Sequence, residues 1–213
     1  MIVLSHRGYW KLEKEKNTKV AFSRSFNLGF GTETDIRDWK EQLVIAHDLA
    51  TPKDLLFENF LELYCNHAPS LPLAINIKSD GLQVHLKRLL DKFNVNNYFV
   101  FDMSVPDGLA YLKNGIRVFT RQSEYEVTPS FYKEAHGIWL DEFHGHWINE
   151  KIINFHLQEN KQVCIVSPEL HGRTFEIEWE HYREIQKKVE PNQLMLCTDH
   201  PELAQQFFNY DSN

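Results

Sequence analysis

The sequence predicts an α/β protein folded as a single (β/α)8 TIM barrel, and three observations carry that expectation. Eight short β-branched or apolar runs recur along 213 residues. Amphipathic stretches with helical spacing lie between most of them, the alternation that parallel βα units produce. Polar residues stand at the ends of several runs, and a barrel gathers its strand ends at one mouth. An open doubly wound sheet is the alternative. A glycine-rich phosphate loop after the first strand would favour it, but "HRGYWKLE" holds one glycine and no G-x-G-x-x-G.

The first strand is expected over residues 2–5, where Ile2, Val3 and Leu4 supply apolar side chains. The others are expected at 32–36, 73–77, 98–101, 117–119, 137–140, 163–166 and 194–197. Helical periodicity marks 20–28, 54–64, 82–93, 107–113, 149–158 and 179–188. Pro106-Asp107 opens the fourth of these and Asn149 caps the fifth ahead of Glu150. A short run at 43–46 reads as a hairpin return against 34–37 across Lys40-Glu41. There is no repeat, low-complexity tract or linker rich in Pro, Gly or Ser, so residues 1–213 read as one domain.

Composition narrows the class. Hydrophobic residues make up 42% and charged ones 25%, ordinary for a soluble globular chain, and 15 Phe with 8 Tyr can fill a sizeable core. A net charge of −7 argues against sequence-independent nucleic-acid binding, although a local cationic pocket could still hold a phosphate. No apolar run is long enough for a membrane helix, and no basic, apolar leader precedes the first strand. Cys65, Cys164 and Cys197 are far apart and form no C-x-x-C pair, which reads as reduced thiols in or near the core. A cytoplasmic protein without stable membrane insertion is expected.

The strand ends carry the chemistry. The first ends in His6-Arg7, the second carries Glu33 and Asp35, and the hairpin return ends in His47-Asp48. The third carries Asn76 and Lys78, and the last ends in Thr198-Asp199. Two positions apart on a strand, Glu33 and Asp35 project from one face. Two such anions repel unless a cation lies between them, which suits a hard divalent ion, Mg²⁺ or Ca²⁺, with Asn76 adding a carbonyl oxygen. Ion pairing with Arg7, Arg37 or Lys78 is the alternative. His6 and His47 can serve as general acid and base near neutral pH, while Arg7 and Lys78 give fixed positive charge for an anionic substrate. The set suits transfer at a phosphodiester, with a small-molecule substrate.

"HRG", followed by "NTKVAFSRSFNLGFGTETDIRDWKEQLVIAHD", resembles the glycerophosphodiester phosphodiesterase family, as do "LAINIK" and the closing "LCTDHPELAQQF". The matches fall in order along nearly the whole chain. The resemblance implies a β/α barrel, a divalent metal, and hydrolysis of a phosphodiester to an alcohol and a phosphomonoester. It implies His6 and His47 as the acid/base pair, Arg7 as the phosphate-binding arginine, Lys78 as the site lysine, and Glu33 and Asp35 as metal ligands. Three departures stand out. Asn76 occupies the place of a third metal-binding glutamate, removing one negative charge. "HDLATPKDLLFENFLELY" runs almost directly into a helix, without the long insertion that usually follows H-D. "VSPELHGR" replaces a tryptophan-bearing turn; Glu169, His171 and Arg173 read there as a solvated rim, or alternatively as readers of an anionic or sugar-like group. In "DEFHGHW", His144 and His146 beside Asp141 and Glu142 form a weaker candidate for a second metal site, and Trp139, Trp147 and Trp179 read as buried aromatics.

Overall fold

The computed structural model of the chain describes residues 1–190 and 192–209. Its strands are β1 (Ile2–His6), β2 (Gly31–Trp39), β3 (Gln42–Ile45), β4 (Leu55–Leu56), β5 (Leu73–Ile77), β6 (Tyr98–Phe101), β7 (Phe119–Ser123), β8 (Gly137–Asp141), β9 (Gln162–Val166) and β10 (Leu194–Thr198). The helices are α1 (Lys19–Asn27), α2 (Phe57–His67), α3 (Gln83–Lys92), α4 (Val105–Lys113), α5 (Glu150–Gln158), α6 (Glu176–Gln186) and α7 (Pro201–Asn209). Side chains of Thr18, Ser104 and Asn149 accept from amides in the first turns of α1, α4 and α5, satisfying donors that a helix start leaves free. Among the described residues no helix is long and apolar enough to cross a membrane.

β1 pairs in parallel with β2 on one side and β10 on the other. From β2 the ladder continues to β5 and β6, and from β10 to β9, β8 and β7. A parallel bridge from Val100 to Val118, with Val100 N donating to Arg117 O at 2.9 Å, joins the two ends. Eight parallel strands therefore run round a ring, as expected for a β/α barrel. β3 folds back antiparallel on β2 through Lys40 and Glu41, whose φ of 46° and 65° are the left-handed values a two-residue hairpin turn needs.

Several boundaries differ from expectation. The second helix begins at Phe57 rather than 54, because Leu55 and Leu56 pair with Ile45 and Val44 as β4. The fifth barrel strand lies later than 117–119, because Phe119–Ser123 takes its register from Gly137–Asp141. α6 starts at Glu176, three residues early, with Trp179 N donating to Phe175 O at 2.8 Å. α7 has no counterpart among the expected helices; it starts on Pro201 and buries Ala204 and Phe208. The β7–β8 connection contains turns and no helix.

The barrel interior is packed. Leu4, Ala74, Phe99, Phe101, Phe119, Trp139, Cys164, Val166, Met195 and Cys197 form one apolar cluster, in which Phe99 stacks on Phe119 at 3.8 Å and Phe101 on Trp139 at 3.9 Å. Two outer clusters bind helices to the strands, one around Phe22, Phe60 and Tyr64 and one around Trp179, Tyr182 and Phe208. Full burial of each such ring stabilises the fold by about 1.5–3 kcal/mol. Trp139 and Trp179 are buried as expected, and Trp147 is half-buried. Cys164 and Cys197 are buried and Cys65 is half-buried, all as free thiols.

Candidate active site

All seven residues singled out from the sequence meet at the C-terminal mouth of this barrel. His6 ends β1, and its Nδ1 donates to Asp199 Oδ1 at 2.7 Å, just beyond β10. An ionised carboxylate can only accept, so the His6 proton sits on Nδ1 and the Nε2 lone pair faces the site, 4.0 Å from Glu33 Oε2. Burial alone would raise the Asp199 carboxyl, but the hydrogen bond from His6 leads the contributions, with the charge of Lys16 among them, that hold it below its ordinary value.

Arg7 follows in the left-handed region, with φ of 57°, and Gly8 continues there at 78°. Residues other than glycine rarely adopt this conformation, which costs roughly 1–3 kcal/mol and persists where surrounding contacts enforce it. Here the enforcement is visible: Arg7 N donates to Glu33 Oε2 at 3.1 Å, and Asn17 N donates to Arg7 O at 2.9 Å. A Cβ at Gly8 would come within 2.9 Å of Ala21 on α1, so the chain passes too close for any larger residue.

Glu33 and Asp35 are both buried on the same face of β2. Asp35 is densely partnered. Arg7 Nε lies 3.1 Å from Oδ2, without hydrogen-bond alignment, Lys78 Nζ lies 3.5 Å from Oδ1, and Asn17 Nδ2 donates to Oδ2 at 2.8 Å. Burial would raise its carboxyl, but Arg7, Lys78, Asn17 and His47 together keep it below the ordinary range. Glu33 moves the opposite way, raised by burial and then by the charge of Asp35, against the pull of His6, Arg7 and Lys78. Two carboxylates two residues apart are thus driven apart in acidity by their surroundings.

His47 Nδ1 lies 2.8 Å from Arg7 Nη2 and 3.2 Å from Asp35 Oδ1. Arginine can only donate, so the Arg7 bond favours the tautomer with its proton on Nε2. The Asp35 contact supports a proton on Nδ1 instead. One nitrogen therefore answers to both partners, and the imidazole can carry its proton on either side.

Asn76 pairs with Asp35 across the β2–β5 ladder. Its amide helps to hold the acidity of the Asp102 carboxyl, just beyond β6, against the rise that burial imposes, while Asn76 Oδ1 is buried and has no hydrogen-bond partner. An orphaned buried carbonyl oxygen beside two carboxylates fits a hard divalent cation, since all three donors are oxygens. Asp102 itself sits between Lys78 Nζ, at 3.9 Å, and Arg121 Nη1, at 2.9 Å. Sequence reasoning missed Asp102 and Asn17 and did not assign Asp199 to His6. The local signals were a polar residue just past a strand for Asp102 and Asp199, and for Asn17 its place at the head of "NTKVAF" before α1.

The rim after β9 departs from expectation. Residues Pro168–His171 form a turn of 3₁₀ helix, not a solvated loop. Glu169 accepts from Ser167, Thr198 and the Asp199 amide, and His171 Nε2 lies 2.5 Å from Asp141 Oδ1. Arg173 donates to Glu142 O at 3.0 Å and to Glu178 Oε1 at 2.8 Å. These contacts hold the rim together, so the residues are structural partners of the neighbouring strands.

The second metal candidate resolves in the same network. His144 turns to Tyr125, leaving Glu142, His146 and Glu178 as a compact group. Glu142 Oε1 already accepts from the amides of Trp147 and Ile148, at 2.7 and 2.6 Å, and Tyr182 donates to Oε2 at 3.1 Å. Arg173 supplies the positive charge this group needs.

Fold and site together define a β/α barrel with a carboxylate pair, two imidazoles and two fixed cations at its C-terminal mouth. Solved structures of glycerophosphodiester phosphodiesterases share the fold. A structure from Galdieria sulphuraria assigned to that activity has a TM-score of 0.75 at 17% identity, over 100% of this chain and 98% of its own. The enzyme from Agrobacterium tumefaciens gives 0.67 at 13% identity over 99% of both chains. A phosphodiesterase from Oleispira antarctica, in complex with its product sn-glycerol-3-phosphate, gives 0.69 at 12% identity over 98% of this chain and 97% of its own. At these identities the likeness establishes the fold. No protein-family model and no curated protein matches the chain.

Proposed function

We propose that the chain is a phosphodiester hydrolase for glycerophosphodiester-like or sugar-phosphate diesters, acting as one domain with a divalent metal, Mg²⁺ or Ca²⁺. The observation that carries this reading is the convergence of the His6–Asp199 and His47–Arg7 pairs on the Glu33–Asp35 carboxylates. Glycerophosphodiester phosphodiesterase motifs at matching positions support it, as does glycerol phosphate in a structure of the same fold.

Glu33, Asp35 and Asn76 would hold the metal. Bound there, it would polarise a phosphate oxygen and offset charge in the transition state. Arg7 and Lys78 orient the phosphate. His6, with Asp199 fixing its tautomer, takes the proton of the attacking oxygen at Nε2. That oxygen belongs to water or to a neighbouring hydroxyl of the substrate. It forms the new P–O bond as the bond to the departing alcohol breaks, and His47, holding protons on both ring nitrogens with Nδ1–H towards Asp35, gives its Nε2 proton to the leaving oxygen and is left as neutral imidazole.

A metal-free variant of the same chemistry has one observation in its favour: Arg7 and Lys78 already partner Asp35. A catalytically silent phosphodiester-binding barrel would rest on Asn76 alone. A panel of soluble phosphodiesters, assayed with and without chelator, separates these readings. Metal-dependent release of phosphomonoester is expected; chelator-resistant turnover selects the metal-free route, and no turnover of any diester overturns the enzyme reading. A small, polar alcohol is expected on at least one side of the phosphate, because the chain lacks the covering insertion. Faster cleavage of bilayer phospholipid than of soluble headgroup diesters would refute that.

A further inference from the structure

A trough of about 860 Å³ opens beside the site. It begins at Arg7 and His47 and runs between the β1–α1 and β3–α2 connections. Its charge runs against that of the molecule. The chain carries −7 overall, yet five lysine or arginine side chains line the trough against three carboxylates. Of those carboxylates, Glu13 is engaged by Lys16 and Asp54 by the Thr51 amide. Lys14, Lys19 and Lys53 are exposed, and their ammonium groups have no acceptor among the described residues.

Lys19 adds a second anomaly. It is the first residue of α1, where the helix dipole is positive, and the first turn of α1 contains no acidic residue. A lysine there opposes the dipole, and such breaches of local preference concentrate where a ligand compensates. Lys14 and Lys53 line the same trough and add positive charge to it. An anion between them would relieve it.

We propose that this trough is a subsite for a second phosphate group, so that the preferred substrate is a diester carrying a further phosphate beyond the alcohol on the His47 side. The proposal rests on the phosphodiesterase reading and deepens it. Continuity through Arg7 and His47 lets one molecule place its scissile phosphate at the carboxylate pair and its second phosphate among the three lysines. The attraction is between exposed charges, so it weakens as salt rises.

The test compares glycerophosphoglycerol with the same diester bearing a terminal phosphate monoester. At low ionic strength kcat/KM is expected to favour the phosphorylated diester by about tenfold, the scale of a few exposed charge pairs. In a Lys14→Gln, Lys19→Gln, Lys53→Gln triple variant that ratio is expected to fall towards one, while Lys113→Gln, on α4, leaves it unchanged. Equal kcat/KM for the two substrates, or an unaltered ratio in the triple variant, overturns the subsite. A readout independent of turnover is calorimetric binding of inorganic tripolyphosphate with chelator present, expected to weaken about tenfold in the triple variant. If neither diester is cleaved, the calorimetry still decides the subsite. Equal tripolyphosphate affinity in both proteins rejects the subsite even where diesters are cleaved.

Discussion

His6 and His47 sit in unlike settings, and that difference directs what each substitution should do. His6→Ala and His47→Ala are each expected to lower turnover by about 10²–10⁴-fold, the contribution of a placed acid or base. Asp199→Asn keeps the size of the side chain but removes the charge that holds the His6 proton on Nδ1. It should reduce kcat by about 10–10²-fold, as loss of an outer orienting partner commonly does. Steady-state kinetics on the preferred diester checks all three, and full activity in His47→Ala would remove the acid/base pair. Asn76 is the residue on which the metal proposal is most directly tested. With only two carboxylates among the proposed ligands, dissociation constants of about 10⁻⁴–10⁻³ M are expected, and Asn76→Glu should tighten binding. Calorimetry reads both, and no heat in either protein would end the metal proposal.

At the scale of elements, the β7–β8 ladder places Phe119 directly opposite Gly137. A Cβ on Gly137 would lie 2.4 Å from the Phe119 ring and 2.6 Å from Gln162 O. Gly137→Ala should therefore destabilise by about 1–3 kcal/mol, the range for overfilling a packed core, read as a lower denaturation midpoint at unchanged slope. On α5, His156 is buried between the Tyr132 hydroxyl, 2.8 Å from Nδ1, and Gln122 Oε1, 2.8 Å from Nε2. Burial, helped by Lys161, pushes its pKa down to about 4 from 6.5. Between those values the unfolded chain binds the proton and the folded one does not, so stability should decline as pH falls from 6.5 towards 4. His156→Gln should flatten that part of the stability–pH curve, measured by denaturant titration at each pH. An unchanged acid limb would show that His156 does not set it. The hairpin and the eight barrel strands were legible locally, because strand spacing and turn chemistry leave marks over a few residues. The helix-free β7–β8 connection and α7 were not, since their conformation depends on what lies against them.

For the whole molecule, the metal should act as a ligand of the folded state. At 10 mM metal and a dissociation constant of 1 mM, stabilisation is about 1.4 kcal/mol, raising Tm by about 3–6 °C for a chain of this size. Asn76→Glu should reverse the order with conditions: less stable than the parent in chelator, where a third carboxylate crowds the pair, and more stable with metal. Thermal scans of both proteins in each condition test this, and identical shifts would detach Asn76 from the metal. The acidic charge of the molecule and its basic trough act together here, directing an anion to one place on an otherwise repelling surface.

By itself the sequence determined the β/α barrel and pointed to the seven residues that the proposed site uses. Apolar periodicity is a local property, and polar residues at strand ends converge in any barrel of this kind. Tertiary structure decided which of those residues touch. His6 and Asp199 are 193 positions apart and meet because β1 and β10, the first and last strands of the chain, pair in parallel. The β2–β5–β6 ladder sets Asn76 between Asp35 and Asp102, its carbonyl oxygen without a partner, and the rim after β9 turns Arg173 into the counter-charge of Glu142 and Glu178. Such pairings follow from strand register around the closed sheet, a property no short stretch of sequence contains.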